Sequence, residues 1–404
     1  MKVAIIGGGA AGIFSAINVR ENYPNAEVVI FEKSKNLLSK IKISGGGRCN
    51  VTNGNNSIKE LSKAYPRGGK KIRKTFQIFN TKHAWQWFES KNVPLMLQAD
   101  GRVFPKSQNS QTIIDCFISE TQRLGIKIEL ERGIKSINQV EGKLELEFTD
   151  NKIPGKIFDK IIVATGGSPK RESLNWLEKL NHNIENPVPS LFTFNMPNES
   201  IKSLMGVAVE NVLVSIQGTK LKSDGPLLIT HWGMSGPAIL KLSAYGARVL
   251  SQQSYKFNVQ INWVNILNND TVLEELKNLS NINANKILSN VRPFLLPERL
   301  WLFLLHKSDL FANKKWKDIG KNGMNKLVSV LTNDVYSVEG KTTFKEEFVT
   351  CGGVSLSSVD FNTMQSNVCK NLYFAGEVLD IDGITGGYNF QAAWTTGFIA
   401  AKLR

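Results

Sequence analysis

Three stretches of this 404-residue chain hold residue types at spacings that can do chemistry. The first is Gly7-x-Gly9-x-x-Gly12, set between the apolar run Val3 to Ile6 and a helix-like run from Ala10 to about Glu21. Gly7 permits a tight turn, Gly9 lets the backbone approach a pyrophosphate, and Gly12 lets a helix pack on the strand. Ala10 and Ala11 open that helix, whose free N–H groups and partial positive charge suit phosphate. A second strand, Glu27 to Phe31, ends in Glu32, twenty residues after Gly12. An acid there accepts hydrogen bonds from ribose hydroxyls. Together these features predict a dinucleotide-binding unit. The second stretch is Ser44-Gly45-Gly46-Gly47-Arg48-Cys49-Asn50. Three glycines before Arg-Cys-Asn read as a loop whose backbone lies against something flat or charged. The third is Tyr373 to Glu377, a strand ending in Gly376 and an acid, followed by Asp380, Gly383, Gly386, Gly387, Tyr388 and Asn389 at the mouth of a last helix.

The elements that must position these stretches are α/β in pattern. Phe158 to Val163 is a strand running into Ala164-Thr165-Gly166, a turn that lies near the cofactor in dinucleotide-binding folds. Helices are expected over Lys82 to Lys91 and Gln111 to Arg123, and an antiparallel excursion over Lys127 to Leu130, Ile134 to Val140 and Lys143 to Phe148. From about Ser190 short strands alternate, interrupted by Thr230-His231-Trp232-Gly233-Met234-Ser235-Gly236-Pro237. Helical periodicity follows, and strands return from Phe344 onward. The pattern splits the dinucleotide domain into roughly 1–190 and 341–404, around an insertion whose short strands fit a small β-barrel or sandwich. In two-part FAD domains an acid placed like Glu377 sits by the pyrophosphate and ribitol. The helix starting near Gly387 then points its positive end at the flavin pyrimidine ring.

Composition narrows the class. Hydrophobic residues make up 42%, enough for real cores, and no run of eighteen apolar residues suggests a membrane span. The first strand begins at the second residue, leaving no room for a signal peptide. Cys49, Cys116, Cys351 and Cys369 lie far apart, without metal-type or disulfide spacing, so no metal is expected and a cytoplasmic home is the simplest. The net charge of +15 implies either a polyanionic partner or the drift of a Lys- and Asn-rich composition. Lys63, Arg67, Lys70, Lys71, Arg73 and Lys74, with Tyr65 and Phe76 between them, and Lys314, Lys315 and Lys317 around Trp316, suit a nucleic-acid surface with aromatic contacts.

The Ser44 to Asn53 stretch, the Thr230 to Pro237 stretch and Gly376 through Gln391 together resemble the BaiN/RdsA (YhiN-like) family of FAD-dependent oxidoreductases, over nearly the full chain. The resemblance implies FAD as cofactor and an α/β fold: a Rossmann-like FAD-binding domain of glutathione-reductase type (1–190 and 341–404), interrupted by a β-barrel subdomain (191–264 and 327–340) and a small helical subdomain (265–326). It implies a substrate that ranges from dehydro-bile acids and aminoacetone to a uracil of ribosomal RNA. The family often has Gly-Arg before the lysine aligned with Lys40. Here the pair is Leu38-Ser39, so Lys40 or Lys42 would cover the missing phosphate contact. Lys33 and Ile134 complete the expected cofactor set. A single Gly-x-Gly-x-x-Gly implies that NAD(P)H, as reductant, visits the flavin transiently.

Cys49 has two readings. Beside Arg48 its pKa would fall, and the thiol could protonate one carbon while the flavin delivers hydride to its neighbour. Alternatively it is a small buried hydrophobe packing under the ring. Trp232 likewise reads as a stacking platform or as part of a hinge. The best specific expectation is an rRNA dihydrouridine synthase. The alternative is a small-molecule oxidase or ene-reductase, with no prediction of oligomeric state.

Overall fold

A computed structural model describes residues 1–342 and 349–404. The described residues form two units, 1–190 with 349–404, and 191–342.

The first unit is built on a seven-stranded sheet in the order Val359–Asp360, Gln365–Ser366, Leu372–Phe374, Lys160–Val163, Lys2–Ile6, Glu27–Phe31 and Lys127–Glu129. The five strands from Leu372–Phe374 onward are parallel, with Val3 opposite both Val28 and Lys160. A parallel strand is covered on both faces, which is why Val3 to Ile6 is continuously apolar and buried. The first helix, Ala10–Asn22, buries every residue from Ala11 to Val19. The closing helix, Tyr388–Ala400, lies against it. A Cβ on Gly397 would sit 2.8 Å from Ser15 Oγ, so only glycine allows this approach. Phe14, Trp87, Phe88, Phe117 and Trp394 pack ring to ring in the core between them.

The predicted helices appear as Thr81–Ser90, capped by Asn80, and Gln111–Arg123. The antiparallel excursion is Ile134–Val140, Lys143–Phe148 and Lys156–Phe158. Lys127–Glu129 is not part of it and extends the parallel sheet instead. The strands expected from Phe344 begin outside the described residues; Thr350–Val354 is the first described there.

The second unit holds a seven-stranded antiparallel sheet, in the order Asp334–Glu339, Lys256–Asn262, Ala208–Ile216, Lys222–Ile229, Gly233–Ser235, Thr193–Asn195 and Lys341–Thr342. Its two edge strands are consecutive in the chain, joined through Gly340 at φ 111°, so the sheet curls back on itself. Lys341–Thr342 therefore belongs to this sheet and not to the dinucleotide domain. The helices Asn269–Ile282, Glu298–Lys307 and Gly320–Thr332 share one continuous core with the sheet. The boundary expected at 326/327 falls inside the last of these helices.

Candidate cofactor and active site

The first glycine turn has the geometry a pyrophosphate needs. A Cβ on Gly7 (φ 112°) would lie 2.4 Å from the Ala164 carbonyl oxygen, and one on Gly12 1.9 Å from that of Gly7. Around Gly9 the space is open to 4 Å. The first helix has no side-chain cap at Gly9 and no acid in its first turn. Its leading N–H groups, on Ala10 and Ala11, have no carbonyl four residues earlier within the helix, so they suit an anion. Glu32, at the end of the second strand, accepts the N–H of Gly8 at 2.7 Å and that of Ser34 at 2.9 Å. The neighbouring Lys33 is exposed.

On the next strand Ala164 is buried, Thr165 exposed, and Gly166 (φ 74°) faces open space. Lys40, expected to meet a phosphate, forms an ion pair with Glu377 at 2.8 Å, across 337 positions of sequence. The second oxygen of Glu377 accepts the N–H of Thr350 at 2.8 Å. Gly376 donates its N–H to the Thr396 hydroxyl at 2.8 Å, and a Cβ there would meet Ala11 at 2.7 Å.

The glycine loop leaves the short helix beginning at Ser39. Ser44 is extended, and Gly45, Gly46 and Gly47 are all left-handed (φ 59°, 69° and 80°). Only glycine adopts three such residues in succession at low cost. Gly46 and Gly47 present a bare backbone face with nothing within 4 Å. Arg48 lies over the Phe104 ring at 4.2 Å and bonds the Gly45 carbonyl and Gln108. Beyond it the chain clamps the closing helix. Asn50 accepts the N–H of Val103, Asn53 donates to the Gly386 carbonyl at 3.0 Å, and Trp394 donates to the Val51 carbonyl at 2.9 Å. Gly387 (φ 87°) starts that helix with no side-chain cap and no acid in the first turn.

One expectation, a lowered pKa at Cys49, needs correction, and the remaining expected residues are placed as follows. Cys49 is fully buried at φ 61°, and burial pushes its thiol up to about 12, against a small opposing hydrogen bond from Ser44. The depressed value expected beside Arg48 is absent because burial of the thiol dominates; the Arg48 guanidinium itself lies over Phe104 and bonds the Gly45 carbonyl and Gln108. Asn389 uses its amide on both the N–H and the carbonyl of Gly383, at 2.8 and 3.0 Å, so it shapes the loop. Tyr388 takes the hydroxyl of Tyr65 on its carbonyl at 2.7 Å. Asp380 is buried, its N–H donating to the Val354 carbonyl. Ile134 sits opposite Phe148 in the excursion sheet and packs against the core.

The basic run also divides. Tyr65, Phe76 and Trp316 are buried core residues, with Trp316 stacked on Trp301, so none offers a ring to a nucleobase. Lys63 pairs with Glu60, and Arg67 with buried Asp382, an acid that sequence reasoning missed. Lys70, Lys71, Arg73 and Lys74 are exposed on the helix Gly69–Thr75, and Lys315 and Lys317 are exposed in the second unit. There too, exposed His231 meets half-buried Trp232 edge to face at 4.3 Å, in a loop pinned by Thr230 and Gly233.

Two uncapped helix N-termini, open glycine faces and a strand-end acid fit FAD, and they define an oxidoreductase of the Rossmann flavoprotein class. The chain belongs to the family described as HI0933-like protein Rossmann domain, which it matches over residues 1–403. It is 29% identical to a ribosomal RNA dihydrouridine synthase of Escherichia coli, over 98% of this chain and 96% of the relative. It is 24% identical to a 3-dehydro-bile acid delta(4,6)-reductase of Clostridium scindens, over 99% and 98%. In fold it is similar to a 3-ketosteroid-delta4-(5alpha)-dehydrogenase of Rhodococcus jostii RHA1, with a TM-score of 0.51 at 11% identity, over 99% of this chain and 96% of the other. Among the described residues no helix is long and apolar enough to cross a membrane.

Proposed function

We propose that this protein reduces a polarised C=C bond in a uridine of ribosomal RNA, using FAD recharged by NAD(P)H. The carrying observation is the placement of the exposed basic helix. Lys70, Lys71, Arg73 and Lys74 follow directly on Arg67 and Gly68, which lie along the loop that leads into the closing helix. Phosphates held by those side chains would bring a nucleotide to the flavin edge of the same unit. The full-length similarity to an enzyme named ribosomal RNA dihydrouridine synthase supports the same reading.

When bound, FAD would supply the hydride. Glu32 would orient the adenosine ribose, the first helix would hold the pyrophosphate, and Lys40 with Glu377 would set the charge at the strand ends. The closing helix would place its positive end by the pyrimidine ring, where reduced flavin gathers negative charge. Cys49 would pack beneath this site and transfer no proton.

A second reading, a small-molecule ene-reductase, is favoured by the burial of Tyr65, Phe76 and Trp316, and by the bile-acid relative. Mass spectrometry of ribosomal RNA from cells with and without the gene separates the two. The RNA reading expects a uridine carrying two extra hydrogens to vanish on deletion. It should return with the wild type but not with Glu32→Ala. Unchanged RNA would move the assignment to small enones.

A further inference from the structure

The loop between Glu377 and the closing helix is held by a cluster that the cofactor motifs do not contain. Asp382 is fully buried, and its carboxylate accepts Arg67 Nε at 2.6 Å, Arg67 Nη2 and the Ser190 hydroxyl. Arg67 Nη2 also donates to Ser190 Oγ at 3.0 Å, closing a triangle. Around this triangle the two segments are zipped together. The backbones of Arg67 and Asp382 form a bridge, and the N–H of Ile384 donates to the Ala64 carbonyl at 2.9 Å. A Cβ on Gly68 would come within 2.7 Å of Ile381.

Burying such a pair costs desolvation that its attraction offsets only with good geometry, so net stability is a weak reason for it. A bidentate guanidinium on a carboxylate does fix position. What it fixes is the loop ending at Gly387, and hence the N-terminus of the closing helix. The same loop carries a second buried acid, Asp380.

We infer that Arg67 is a positioning residue for the flavin: through Asp382 and Ser190 it sets the loop that delivers the closing helix to the ring, and it balances the charge of Asp382 there. The inference rests on the FAD assignment and not on the choice of substrate.

The test uses the full-length protein with FAD. It reads FAD affinity, the visible flavin spectrum, the flavin reduction potential and the melting temperature of the FAD-free form. Asp382→Asn removes one negative charge from the loop while the Arg67 cation stays, which favours reduced flavin, so the potential should rise and FAD affinity should fall more than roughly tenfold. The double variant Arg67→Met with Asp382→Asn removes both charges. Its potential should return towards the wild type while its affinity stays low. A packing defect would not produce that reversal. If these variants do not fold, Arg67→Lys and Ser190→Ala serve, each expected to weaken FAD binding and shift the spectrum. Folded variants with wild-type affinity, spectrum and potential would overturn the inference, as would a potential that merely follows melting temperature. A wild type that holds no FAD would remove the cofactor assignment itself.

Discussion

The carboxylate of Glu32 accepts the N–H of Gly8 at 2.7 Å, so the acid ending the second strand and the turn ending the first are one hydrogen-bonded unit. Glu32→Ala removes both the brace on that turn and the proposed acceptor for the ribose. A hydrogen bond to a charged group contributes about 1.5–3 kcal/mol, so the FAD dissociation constant should rise roughly ten- to hundredfold. Titration of the FAD-free protein by flavin fluorescence, with circular dichroism to confirm folding, measures this. An unchanged constant would show that Glu32 only braces the turn.

Cys49 offers a sharper contrast between chemistry and packing. With its thiol at about 12 and no exposed surface, it is protonated and shielded at neutral pH. Cys49→Ala should therefore leave kcat within about twofold, at a stability cost of about 1 kcal/mol typical of a small core truncation. Iodoacetamide should label it only after unfolding. A loss of kcat of roughly a hundredfold or more in a folded Cys49→Ala protein would restore it as a proton donor.

What is legible in the sequence is local and periodic. The strand, glycines, helix and acid from Lys2 to Glu32 announce themselves because each glycine answers a steric demand within a few residues. The Gly45 to Gly47 run does the same. Partnerships across the chain are not legible. By sequence alone Lys40 resembles a phosphate ligand and Arg67 a surface charge. Their acids, Glu377 and Asp382, lie 337 and 315 positions away and are brought close only by the fold. Tyr65, Phe76 and Trp316 mislead for a related reason: an aromatic among lysines has the same composition whether its ring faces solvent or core. Only the burial of each ring in the folded chain separates the two cases.

The exposed lysines of that helix carry the RNA reading. Removing a single phosphate interaction should lower the slope of log affinity against log salt by about 0.7–0.9. Lys70→Glu with Lys71→Glu should flatten the slope by more than about one and weaken binding of ribosomal RNA fragments at low salt, without changing FAD content. Filter binding across a salt series reads this directly. Identical slopes for variant and wild type would disconnect the helix from nucleic acid.

His182 should make the first unit acid-sensitive. Its Nδ1 donates to the Leu177 carbonyl at 3.1 Å, which leaves Nε2 to accept the Ser366 hydroxyl at 2.8 Å, so the neutral ring is the form that fits. Ser366 Oγ is already an acceptor for the N–H groups of Val368 and Cys369, and the ring sits edge-on to Phe374 at 5.0 Å. Burial lowers the His182 pKa below its ordinary 6.5, with the Leu177 hydrogen bond acting weakly the other way. The unfolded chain therefore takes up a proton near pH 6.5 that the folded chain refuses. Stability is whole above that pH and declines as pH falls from 6.5 towards the lowered folded value. His182→Gln cannot titrate, so its melting temperature should start lower at about pH 8 and fall less between about pH 7 and 5 than that of the wild type. Parallel melting curves for the two proteins over that range would mean that other groups govern the acid response.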